Sequence, residues 1–493
     1  MHWIYWTAFL LYSVVVVGLG FRIWRRERSG SRGFDSNQFW SAGRRLSGWA
    51  AGLSISASMM SISWSGVYGV QLFYWYGVGG AWLLIIPWLV TMLGFFLLVP
   101  LFRRLKVFSQ PELLEKRFGP RARRLLAPTL IFVFTVWGGA EIYAAGITLA
   151  PFLGISLPAT LFLIALVVAL YSFTGGFQAV VSTDKIQFAL VAGFISIMAG
   201  IGLYALTARG GLGLLWSANQ LAPRANPHWP ALLSPGWALI VLTLVAYLPG
   251  WLVETDIWIR LQAARDDGQA RKAILLAGAN SLIFVGLMPL LIGLSALLLY
   301  PPVAGEIPAR LQDGALIFNA LMSDFAAPWL SILLGIGLAA AAMSTVDTCA
   351  NVVALSLAYD VLEPLAGARL TARRRERLAR GTSVLAVALA FIYALFTNSL
   401  WDIFYLSSGL LTTTVFLPVM AAFRPGVRPA QAYGSLIFGL VGTLLFYYLE
   451  KWGWLASAQP AWLAETGLGY ILWGLACSVA GFVLGRWWPQ EHA

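Results

Sequence analysis
Thirteen predominantly apolar stretches alternate with shorter polar ones along the chain, near 3–23, 48–72, 79–102, 125–149, 155–173, 187–208, 237–259, 274–299, 328–358, 381–398, 400–422, 432–450 and 467–485. A helix needs about twenty apolar residues to cross the hydrocarbon layer of a bilayer, so the pattern predicts an all-α polytopic membrane protein. The run at 328–358 is longer than one crossing requires, which leaves its ends unfixed. The stretch from Arg25 to Asn37 reads as a loop. Ser109 to Gly119 reads as a short amphipathic helix at the inner surface, with Pro111 in its first turn and Gly119 as its stop.

Two spans depart from the pattern. The second carries six serines between Leu53 and Gly66, and serines that close together weaken a helix while offering partners to its freed backbone groups. The seventh places Pro249-Gly250 in mid-membrane, followed by Glu254 and Asp256. Interrupted spans five apart are the signature of an inverted-repeat transporter with five helices per repeat and its site at the two breaks, although a proline kink can also be purely structural. On the transporter reading the whole chain, 1–493, is one transmembrane domain. Residues 1–46 hold the first helix and an inner linker, 47–422 a ten-helix core, and 423–493 two additional helices.

The ninth span contains Ala339-Ala340-Ala341-Ala342-Met343-Ser344-Thr345-Val346-Asp347-Thr348. Four small residues let a neighbouring backbone approach, and the Ser344 and Thr345 hydroxyls then face whatever carbonyls that neighbour presents. Such a seam suits a hard cation, or else it is an ordinary hydrogen-bonded helix contact.

With 59% hydrophobic and 11% charged residues, the chain departs from soluble proteins, which carry roughly 25% charged residues. The net charge of +12 could suggest nucleic acid, but its placement is topological. With the N-terminus outside, 29 of the 33 Lys and Arg residues fall in inner loops, leaving Arg209, Arg224, Arg310 and Lys451 outside. The inner surplus also attracts anionic lipid. His2, His228 and His492 lie at termini or in a loop, which excludes a histidine proton relay, and Cys349 and Cys477 imply no disulfide framework. No cleavable signal peptide is expected, since no basic residue precedes the first apolar run.

The run Thr174-Gly175-Gly176-Phe177-Gln178-Ala179-Val180-Val181-Ser182-Thr183-Asp184-Lys185-Ile186-Gln187 has the form GG-x-x-AV-x-x-TD-x-x-Q. With Ala42-Gly43-Arg44-Arg45-Leu46, the Pro111–Gly119 loop, Arg260 to Arg265 and the ninth-span stretch, it resembles the sodium:solute symporter family, which includes bacterial proline, sugar and sialic acid symporters. The resemblance covers most of the chain and implies thirteen spans around a five-plus-five inverted-repeat core of the leucine-transporter-like fold. It also implies a sodium site between core helices one and eight, formed by the carbonyls of Ala57, Met60 and Ala341 and the hydroxyls of Ser344 and Thr345. Asp184 would lie near the inner exit of that site, although Asp184-x-x-Gln187 also reads as the N-cap of a helix at 187. Met59 stands where several relatives have Asp or Asn, and Ala341 where relatives with a second sodium site have Ser, which together imply one sodium per cycle.

Glu141, Glu254, Asp256, Asp347 and Asp402 lie within spans, where an uncompensated carboxylate is costly. Asp256 and Arg260, four apart, read as an ion pair near the inner interface. Trp251, Glu254 and Trp258 at helical spacing would share a face, and a carboxylate between indoles suits an ammonium group. Glu141 and Tyr143 could line the same cavity or bond between helices, and Trp64 and Gln71 flank the broken second span. Most of the 23 tryptophans are expected in interfacial belts.

The resulting expectation is sodium-coupled symport of a small polar organic solute into the cell by alternating access, with an amine-bearing or zwitterionic substrate. The protein would sit in the inner (cytoplasmic) membrane as a monomer or weak oligomer, N-terminus periplasmic and C-terminus cytoplasmic. A proton could replace sodium, with Glu141 or Glu254 as carrier. A sensor role is disfavoured because the chain ends at Ala493, soon after the last span. An enzyme is disfavoured because no nucleophile–base pair, metal-spaced His/Cys set or phosphate loop appears.

Overall fold
The computed structural model describes residues 2–29, 36–104, 106–217, 223–224, 229–303, 305–367, 370–455 and 457–488; His228, His492 and part of the 25–37 linker lie outside them. Among the described residues every regular element is helical. Ten helices are long and apolar enough to cross a membrane, and Leu157–Phe173 and Gly469–Leu484 are shorter apolar helices. The second span completes the set in two pieces, Gly48–Met59 and the helical run 62–76. All thirteen apolar runs are therefore helical and in the expected order.

The ninth span (Ser331–Ala366) and the eleventh (Leu400–Ala422) have 78% of their most apolar stretch buried, against 39% for the first and for the twelfth (Pro429–Lys451). The former are central and the latter peripheral.

The second span breaks at Met60 (φ −82°, ψ 51°) and Ser61 (φ −81°, ψ 156°). The Ser61 hydroxyl caps the resumed helix by accepting from the Trp64 N–H at 2.8 Å. In the seventh span, Pro249 lies inside the first half, Trp237–Trp251, and the chain breaks only at Leu252–Glu254 before resuming as Thr255–Ala263. The helix survives its proline because Thr412 of the eleventh span inserts its hydroxyl into the ladder. That oxygen accepts from the Gly250 N–H at 2.9 Å and donates to the Ala246 carbonyl at 2.6 Å, bridging the turn that Pro249 opens. Gly250 is what admits it, since a Cβ there would lie 2.8 Å from the Thr412 hydroxyl.

The sixth span starts at Gly176 rather than near 187 and runs to Thr207. Its polar residues are absorbed into the helix: Ser182 and Thr183 donate to the carbonyls of Gln178 and Ala179 at 2.8 and 3.1 Å. Asp184 is thus a mid-helix residue and not an N-cap. The turn from the fifth span is made by Gly176 (φ 53°, ψ −166°), against the ring of Phe39, a conformation a side chain would resist.

The inner-loop helix, Gln110–Phe118, has Ser109 as its cap and Gly119 (φ 91°) as its stop, but is more enclosed than a surface helix. Gln110 is fully buried and bridges the seventh-span break, donating to the Val253 carbonyl and accepting from the Thr255 hydroxyl, each at 3.0 Å. Two of the sequence motifs meet directly: the Leu46 N–H donates to the Ala263 carbonyl at 3.0 Å, and the Arg265 N–H to the Leu46 carbonyl at 2.9 Å. Beside them, Asp266 caps the eighth span. The Gln269 N–H at 2.8 Å, with Arg265, holds its carboxyl below the usual range.

Candidate functional site
The first half of the second span, Gly48–Met59, packs on the ninth, and there the polar cluster of the ninth span meets the broken backbone. The Ser344 hydroxyl lies 3.4 Å from the Ala57 carbonyl and 3.3 Å from the Ala341 carbonyl. Both separations exceed the roughly 2.5–3.0 Å of a good O–H···O bond. A hard cation holds oxygens at roughly 2.3–2.6 Å, so ligands at right angles around it lie about 3.3–3.7 Å apart. The Ser344 hydroxyl and the two carbonyls thus stand at a spacing that a shared cation could also occupy. The neighbouring Thr345 hydroxyl donates to the Ser58 carbonyl at 3.0 Å, an ordinary bond between helices. Met60 is fully buried at the break beside them.

One turn further along the ninth span is a charge network whose centre is Arg260. Its guanidinium donates to the hydroxyls of Ser54 (2.8 Å) and Thr348 (2.9 Å). It reaches Asp184 at 3.3 Å and Asp256 at 3.4 Å, confirming the Asp256–Arg260 pair and adding a second carboxylate to it. Ser54 also donates to Asp184, and Ser58 to Asp256 at 2.8 Å. All these residues are buried, so each charge keeps its neighbours from being uncompensated. Asp347 accepts from the Tyr171 hydroxyl at 3.1 Å. Asp402 stands apart, in a partly exposed pair with Lys451 at 2.6 Å.

Between the two breaks lies a cavity of about 60 Å³, lined by Trp64, Glu141, Trp251 and Glu254 among others. At 10–15 Å³ each, that is room for roughly four waters. Trp64 is its centre, 5.4 Å from Trp251 at 86° and 4.8 Å from Phe404 at 78°, both edge-to-face. Glu141, from the fourth span (Pro120–Leu153), accepts from both the N–H and the hydroxyl of Ser63 at the start of the resumed second span. Glu254 is the last residue before the resumed seventh span.

The structure brings together Ala57, Ala341, Ser344 and Thr345 at one seam and Trp64, Glu141, Trp251 and Glu254 around the cavity, whose wall Thr345 shares. It separates Trp258 and Gln71 from them. The shared face of Trp251, Glu254 and Trp258 does not exist, because the break between 251 and 255 ends the helical spacing; Trp258 packs instead on Phe102 at 4.8 Å. Gln71 donates to the Asp313 carbonyl at 2.6 Å, beside Trp75, which does the same at 2.9 Å. Sequence reasoning missed Trp88 and Trp137 in the cavity wall by assigning most tryptophans to the interfaces. Their indoles donate to Ser281 (3.0 Å) and Ser407 (2.6 Å). Trp137, deep within a 34-residue helix, was the readable signal.

Residues 39–442 match the family model described as "Sodium:solute symporter family". The sodium/glucose cotransporter of Vibrio parahaemolyticus is 26% identical over 477 residues, spanning 90% of this chain and 84% of that protein. A sodium/sialic acid symporter of Proteus mirabilis is 23% identical over 431 residues, spanning 85% and 84%. A solved Na+-coupled sialic acid symporter, substrate-bound and outward-open, superposes with a TM-score of 0.73 at 17% identity, covering 99% of this chain and 98% of that one. Mhp1, a nucleobase-cation-symport-1 family transporter in a closed conformation, superposes with a TM-score of 0.57 at 13% identity, covering 91% and 93%. These likenesses show the fold to be the all-α, inverted-repeat arrangement of the leucine-transporter kind.

Proposed function
The chain belongs to the sodium:solute symporter family, so it is a multi-pass sodium-coupled solute transporter and not an enzyme, and we propose that its sodium binds between the second and ninth spans. The ligands are the carbonyls of Ala57, Met60 and Ala341 and the hydroxyls of Ser344 and Thr345. The observation that carries this is the 3.3–3.4 Å oxygen spacing around Ser344, too long for good hydroxyl bonds. Broken backbone supplying carbonyls to an ion is how such folds use their interrupted helices. Asp184 stands on the inner path from this site, with Arg260 as its counter-ion.

The solute binds in the cavity between the breaks and carries an ammonium group. Supporting this are Glu141 and Glu254 facing an aromatic lining in which neither has a Lys or Arg ion-pair partner among the described residues. The cavity is closed down as it stands, and a solute enters when the outer halves separate. Sodium drives the cycle by binding the outward-open form better than the other. Residues 47–422 form the moving core, with 1–46 and 423–493 outside it. Uptake runs inward across a bacterial inner membrane, N-terminus periplasmic, in keeping with the inner placement of 29 of 33 basic residues.

Thermal unfolding of the purified protein across a sodium titration, at constant ionic strength with potassium as replacement, tests the ion site. At a hundred times the Kd, sodium stabilises the wild type by about 2.7 kcal/mol. The Ser344→Ala/Thr345→Ala protein shows no sodium-specific rise. An equal rise in both proteins would overturn the site, and stabilisation by acid but not by sodium would move the coupling to a proton.

A further inference from the structure
The resumed second span is a 62–76 helix whose first turn is already partnered: the Trp64 N–H is capped by Ser61, and the Ser63 N–H goes to another span. The Ser63 N–H lies 3.3 Å from Glu141 Oε2, while the Ser63 hydroxyl donates to Oε1. A helix N-terminus attracts anions, and in transporters with broken helices this position receives the anionic group of the solute. Here a carboxylate of the chain's own fourth span, nearly fully buried, occupies it. At the other break Glu254 immediately precedes the resumed seventh span and lines the same cavity, with no side-chain capping bond to that helix end.

The positive end of the resumed second span thus meets a resident carboxylate, and a second, Glu254, lines the same cavity. The nearby guanidinium of Arg260 is committed to Asp184, Asp256, Ser54 and Thr348. The remaining lining is aromatic or hydroxyl-bearing, including Trp64, Trp251, Phe404 and Ser408, with Met59 the one thioether. A carboxylate on the solute would meet like charge and find no cationic donor, whereas an ammonium group would meet two carboxylates and several indole faces.

We propose that Glu141 is a specificity-determining residue that stands in place of a solute carboxylate, and that the solute is an organic ammonium cation lacking one. This rests on the ammonium reading above and narrows it by excluding zwitterions. It assigns the two carboxylates different tasks: Glu254 meets the ammonium group, and Glu141 closes the helix end that would otherwise recruit an acid.

Matched pairs test it: tyramine with tyrosine, phenethylamine with phenylalanine, and choline with glycine betaine, alongside glucose and 3-phenylpropionate. Each is titrated against wild type and Glu141→Gln in saturating sodium, reading Kd from thermal shift and calorimetry. The wild type binds the amine of a pair at least tenfold tighter than its carboxylate-bearing partner, and Glu141→Gln shrinks that ratio tenfold or more. A zwitterion bound as tightly as its amine by wild type overturns the proposal while leaving the ammonium reading standing; this arm needs no variant. A ratio unchanged in Glu141→Gln removes Glu141 from the role. Binding of glucose or 3-phenylpropionate alone overturns both readings.

Discussion
The guanidinium of Arg260 lies 3.3 Å from the carboxylate of Asp184, tying the second half of the broken seventh span to the sixth. Both groups are buried, and Arg260 also serves Asp256. Replacing it by Ala leaves two buried carboxylates without their cation, at a cost of roughly 3–5 kcal/mol. Arg260→Lys recovers only part of this, because one ammonium cannot reach four partners at once. Thermal unfolding in detergent checks both, and an unchanged Tm for Arg260→Ala would refute the network's structural role.

Thr412→Val keeps the shape of the side chain and removes the oxygen that bridges Gly250 and Ala246. A buried N–H and a buried carbonyl are then unpaired, at about 1–3 kcal/mol each. The expected fall in Tm is restored by Thr412→Ser, which returns the hydroxyl. If Val is as stable as Thr, the bridge is incidental to the survival of the proline-containing helix.

Gln110→Ala cuts both bonds between the inner-loop helix and the 252–255 break. Backbone amides across 250–258 should then exchange with deuterium several-fold faster, while the sodium-dependent rise in Tm persists. Protection unchanged in that segment would mean that the loop helix does not restrain the break.

Glu254→Gln removes the proposed ammonium contact. Uptake of an ammonium solute should drop tenfold or more, equivalent to about 1.4 kcal/mol, with sodium binding retained. Normal uptake by this variant would place the ammonium group elsewhere.

The helices were readable because lipid forces every spanning backbone into one, and about twenty apolar residues leave no ambiguity. Ser344 and Thr345 were readable because hydroxyls beside four alanines are conspicuous in an apolar helix. What sequence could not give was the state of the ladder around Pro249. Whether that proline breaks the helix depends on Thr412, 163 residues away in the chain. The face shared by Trp251 and Trp258 failed for the same reason, since helical spacing holds only while the helix does. Asp184 looked like a cap because its neighbours are polar, and only Ser54 and Arg260 make its place inside a helix tolerable.

The first half of the second span and the second half of the seventh are fastened to each other twice, by Ser58 to Asp256 and by Arg260 to Ser54, both at 2.8 Å. Moving one while the other stays breaks both bonds. Separating them strips a buried carboxylate and a buried guanidinium of one hydroxyl partner each, so the less costly motion is the one in which both segments travel together.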